Sequence, residues 1–157
     1  MKLIFRCLIA TAFILSPITS PAIAQNQFPP RGNGQWTFYF SENAKIPTTS
    51  QKNAACSSLR MTFDKQGEFA NFLNRRTFWT VQPANASYYT VNNGVLTLKT
   101  AITGATQHLA EPGSEFIIDK YRIMKVTPSV VQLEKLNRNG TPQPVRNFLL
   151  KCKTINL

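Results

Sequence analysis

Residues 88–99, YYTVNNGVLTLK, constrain the fold more than any other stretch. Asn93-Gly94 separates two runs of β-favouring side chains, and this pair suits the left-handed backbone positions of a tight type I′ turn. Tyr89 and Val91 then share one face of the first arm, and Leu96 and Leu98 share one face of the second. The stretch reads as a β-hairpin, and weaker units of the same kind lie on either side.

Residues 35–40, QWTFYF, alternate Trp36, Phe38 and Phe40 with polar or amphipathic neighbours, which is the period of a strand. Residues 41–56 hold no apolar run and read as a long loop, of a length that suits a lid. Cys56 opens the second strand, in which Leu59, Met61 and Phe63 share a face. Asp64 to Gly67 form a turn, Phe69 to Leu73 a third strand, and Thr77 to Val81 a fourth. After the hairpin, residues 100–115 show no clean period and read as a loop. Phe116 to Val126 form a strand in which neither face is purely apolar, so a bulge is expected near Asp119-Lys120. Val131, Leu133 and Lys135 lie on a further strand, and Val145 to Cys152 on the last, with Phe148, Leu150 and Cys152 facing one way. No window of 11 or more residues after the N-terminal segment carries a helical period. The chain is therefore expected to be all-β with little or no helix. About eight antiparallel strands would follow one another up and down, and closing them into a barrel removes exposed edges.

The N-terminus reads as an export signal. Lys2 and Arg6 precede an apolar run at 7–15, and Ala22-Ile23-Ala24 forms a small-residue cleavage site. That run is shorter than the roughly 20 residues needed to span a bilayer, so no transmembrane segment is expected after cleavage at Ala24. The expected organisation is a signal peptide at 1–24, a flexible lead-in at 25–34 and one barrel domain at 35–157. Removing Lys2 and Arg6 from the 18 basic side chains leaves 16 against 7 acidic, a formal +9. Such a balance favours acidic partners or anionic surfaces. Cys56 and Cys152 remain, and an oxidising compartment favours one disulfide over two buried thiols.

These residues resemble the lipocalin-like, or calycin-type, small exported barrels of bacteria. The resemblance rests on Gly34-Gln35-Trp36 at the first strand, MTFDKQGEF at 61–69, the Tyr-rich hairpin at 88–99 and the Val131-x-Leu133-x-Lys135 run. It implies a cup of about eight strands with Trp36 plugging one end beneath a basic side chain of the last strand, Arg146 or else Lys151. It also implies that the 41–56 loop crosses one mouth. The chain departs from full-size lipocalins in lacking their C-terminal helix.

No catalytic constellation stands out. His108 has no partnered nucleophile, the carboxylates are scattered, and the cysteine spacing does not make a metal site. Neither a cofactor nor enzymatic activity is expected. The expected function is non-enzymatic binding of a small apolar or amphiphilic ligand, to which an anionic head would suit the charge. The candidate lining is Phe38, Phe40, Met61, Phe63, Tyr89, Leu96, Leu98, Met124 and Phe148. Two alternatives are an inhibitor of an acidic protein, acting through its surface or the 25–34 arm, and an attachment factor for anionic polymers. Lys120, Arg122 and Lys125 lie near Tyr121, and Arg75-Arg76 precede Phe78 and Trp79. Such interleaving can bind single-stranded nucleic acid. An export signal disfavours that role and points to the periplasm or the exterior of a bacterial cell.

Overall fold

The computed structural model describes residues 28, 34–64, 66–75, 78–81, 87–102, 107–109 and 112–155. The signal peptide and all of the 25–34 arm except Phe28 and Gly34 lie outside the described residues. In chain order come β1 (Trp36–Ser41), α1 (Thr49–Ser58), β2 (Leu59–Phe63), β3 (Glu68–Arg75), β4 (Phe78–Val81) and β5 (Ser87–Asn92). They are followed by β6 (Val95–Ala101), a 3-10 turn (Gln107–Leu109), β7 (Phe116–Val126), β8 (Val130–Leu136) and β9 (Pro142–Lys151).

Every strand pairing is antiparallel, and the sheet closes on itself. β9 returns to β1 from Trp36 opposite Lys151 to Ser41 opposite Arg146. β1 meets β2 at Trp36 opposite Met61, and β2 pairs with β3 along its whole length. That ladder occupies one edge of β3 from Phe69 to Leu73, so β4 and β5 must share the other. β4 lies opposite Phe72–Arg75, and β5 lies opposite Glu68 and Phe69. The two are pieces of one interrupted wall position, and the ring has eight positions. The protein is thus the all-β, up-and-down barrel expected, with one short α-helix among the described residues. At the β5–β6 hairpin Asn93 and Gly94 take φ of 48° and 73°, as a type I′ turn requires.

Alternation sorts the wall into two faces. Trp36, Met61, Phe69, Leu96, Leu98, Tyr121, Ile123, Val131, Leu133 and Leu149 point inward and form one core. At the Trp36 end Phe28 packs edge-on to Phe63 and Tyr89, with ring centroids 5.3 and 5.9 Å away. The sequence places Phe28 in a flexible lead-in; in the structure it is a buried part of the core, its ring packed against those of Phe63 and Tyr89. The bulge of β7 lies between Ile123 and Lys125 rather than at Asp119-Lys120.

The stretch expected as a lid-like loop holds α1, and Cys56 lies in its last turn rather than opening β2. A capping box starts the helix: the Gln51 backbone N–H donates to Thr48 Oγ1, and the Thr48 N–H donates to Gln51 Oε1. The end of the helix lies against the outer wall. Thr37 and Arg60 face away from the core-facing Trp36 and Met61, yet Thr37 Oγ1 donates to the Ala55 carbonyl. Arg60, also buried, donates to the Cys56 carbonyl, to Gln35 Oε1 and to the Lys153 carbonyl. The Cys56–Cys152 disulfide fastens the same turn to the segment after β9.

This bridge closes a span of 96 residues. Replacing both cysteines by serine should therefore cost about 4–5 kcal/mol on the chain-entropy scale, read as a shift of the urea midpoint. Phe28→Ala should cost about 3–5 kcal/mol by the same measurement, and a loss below 1 kcal/mol would show that the ring is not in the core.

Candidate functional site

The end of the barrel opposite Trp36 is bounded by the start of β7, the end of β8 and the start of β9. Three inward positions there carry polar groups. Asp119 and Tyr121 lie on β7, and Lys135 of β8 stands directly opposite Tyr121. Lys135 Nζ is 2.7 Å from Asp119 Oδ1 and 5.8 Å from the centre of the Tyr121 ring. Below them the Tyr121 ring lies 5.4 Å from that of Phe38. The polar layer therefore rests on an aromatic floor. A cleft of about 850 Å³ opens over this layer, and its walls include Ile117, Asp119, Lys120, Lys135, Arg138 and Gln143. Its volume falls within the range of small-molecule sites.

Two further groups face inward. Asn147 stands opposite both Phe40 and Leu133 and is 1% exposed. Its Nδ2 donates to the Val145 carbonyl, while its Oδ1 is buried without a hydrogen-bond partner. Asn71, opposite Met61, has a second unpartnered buried Oδ1. A buried acceptor without a donor costs about 1–3 kcal/mol. Both oxygens are therefore places where a donor atom would be stabilised.

The candidates named from sequence separate into three groups. Trp36, Met61, Tyr89, Leu96 and Leu98 are buried in the core, with Phe38 and Phe63 packed against it. They fill the lower barrel and support the cleft from below. Phe40 continues the inward face of β1 but reaches the rim, where it is 62% exposed. Met124 and Phe148 do not line the interior. Met124 occupies the β7 bulge and is exposed, whereas Phe148 stands opposite Tyr39 and Gln132 on the outer face and is fully buried there. The strand period alone assigned Phe148 to the inside, and the register with Trp36 and Phe38 reverses it.

Arg146 is not the basic partner of Trp36. It stands opposite Ser41, at the far end of β1, and pairs with Glu134 at 2.7 Å. Lys151 stands opposite Trp36 instead, and a side chain at Gly34 would meet Lys151 Cε at 3.0 Å and Trp36 Nε1 at 3.3 Å. A side chain there would require Lys151 to give by a few tenths of an ångström. Sequence reasoning missed Asp119, Tyr121, Lys135 and Asn147 as site residues. The mixed polarity of both β7 faces was their one trace.

His108 lies in the 3-10 turn, and no group of three metal-ligating side chains occurs among the described residues. No helix among them is long and apolar enough to cross a membrane. No protein-family model matches the chain, and no curated protein matches it. The class that the structure defines is an eight-position antiparallel barrel with one disulfide.

Burial, and then the Asp119 carboxylate, push the Tyr121 phenol above its ordinary range. The folded chain thus keeps a proton that the unfolded chain gives up near pH ~10. Stability from this group is complete below that pH and falls as pH rises beyond it. Tyr89 shifts the same way, through burial and Asp64. Comparing urea midpoints at neutral pH and above the phenol range, Tyr121→Phe should lose less stability than the parent. An identical loss in both would show that Tyr121 ionises freely.

Proposed function

We propose that this protein is an exported, non-enzymatic carrier of a small amphiphilic ligand, held at the barrel end opposite Trp36. The cleft over the Asp119–Lys135 pair carries this reading. Phe116, Ile117 and Leu136 offer apolar surface to a ligand body. Lys120, Lys135 and Arg138 line the cleft against one carboxylate, Asp119, so an anionic head suits it. The disulfide suits export, as does the leader read from the sequence.

Native mass spectrometry of the exported protein should show a retained small molecule or uptake of an added fatty acid. A fluorescent fatty acid should bind and be displaced, and Ile117→Asp should weaken it about tenfold or more, since it places a second carboxylate beside Asp119. An empty barrel with no displaceable probe would end this reading.

A further inference from the structure

The outer face of the same wall carries a second feature. Lys99, Lys120 and Arg122 alternate with the inward Leu98 and Tyr121, so they point outward. Arg146 stands opposite the outward Glu134, and Lys125 opposite the outward Gln132. These five cations lie on three strands, β6, β7 and β9. Among the described residues of β5 to β9 on that face Glu134 is the one carboxylate, buried between Arg122 at 3.0 Å and Arg146 at 2.7 Å, and the exposed Glu68 of β3 borders the face opposite Tyr88. The face therefore keeps a formal excess of +4.

Apolar side chains stand among these charges. Ile118 is 53% exposed and directly opposite Lys99; Met124 is 46% exposed and next to Lys125; Tyr88, on the other side of Lys99, is 39% exposed. A hydrated polyanion is answered by cations alone and gains nothing from Ile118 or Met124. A bilayer offers both halves of the match, with anionic headgroups for the Lys and Arg side chains and an acyl boundary for the aliphatic ones.

We propose that the outer wall of β5 to β7, continued by Arg146 of β9, is a docking face for an anionic lipid surface. This goes beyond the ligand reading and does not rest on it, although the cleft opens at the border of this face, where Ile118 and Lys120 also line it.

Sedimentation with vesicles tests it. The protein should bind phosphatidylcholine vesicles containing roughly one-third phosphatidylglycerol, and not pure phosphatidylcholine. Raising salt from roughly 0.1 to 0.5 M should weaken binding strongly. Lys99→Glu with Lys125→Glu should weaken it about tenfold or more. Ile118→Ser with Met124→Ser should weaken it about fivefold or more. None of these four residues is buried, so circular dichroism should show unchanged folding. The lysine pair lies outside the cleft, so fatty-acid probe binding should stay unchanged in that variant, which keeps the two proposals separable. Equal binding to neutral vesicles overturns the proposal. So does an unchanged affinity in either double variant, or tighter binding to single-stranded DNA with no effect of Ile118→Ser and Met124→Ser.

Discussion

Closure of the ring depends on a seam that main-chain hydrogen bonding secures poorly. β1 is paired with β9 over its full length but with β2 at a single position, Trp36 opposite Met61. Everything gathered outside that seam compensates for it. Cys56 and Cys152 join α1 to the segment after β9. The Arg60 side chain, rooted in β2, holds Gln35 before β1, the end of α1 and the Lys153 carbonyl together. Burial pushes its guanidinium down from the ordinary arginine range, the cost of a charge taken out of water. Three acceptors offset that cost, so the buried arginine acts as a polar bolt across the seam.

The wall was legible in the sequence because each strand carries its own signal. Asn93-Gly94 gave a turn, Trp36-x-Phe38-x-Phe40 a period of two, and the cysteine pair its bridge. α1 was missed because its sequence, TSQKNAACSS, has almost no apolar stripe and buries only Cys56. It is held from outside, by a disulfide and by Thr37 and Arg60 donating to its Ala55 and Cys56 carbonyls, so the signal that remained was Thr48-x-x-Gln51. Arg146 was misplaced for a different reason. The period shows that residues share a face, not which face, and only the register against Trp36 settles that Lys151, not Arg146, stands beside the indole. Local sequence could not contain the cleft, because Asp119 and Lys135 are 16 positions apart and meet only through the β7–β8 register.

The same three strands, β7 to β9, serve both surfaces. Inward they place Asp119, Tyr121, Lys135 and Asn147; outward they place Lys120, Arg122, Glu134 and Arg146. Period two allows this division without conflict, since neighbouring residues never compete for one face. It also explains why β7 looks irregular as a sequence. Its inward face carries Asp119 for the polar layer, and its outward face carries Ile118 in water.

The interruption between β4 and β5 gives the wall a second thin joint. β3 meets β5 over two residue pairs, and β2 meets β1 over one, while β2 and β3 hold each other over five. Those two strands form a panel more firmly knit within itself than to its neighbours. Strain on the barrel would part the joints before it tore the panel. The sulfur link and the arginine sit at one corner, so the panel would swing from that corner like a shutter on its latch.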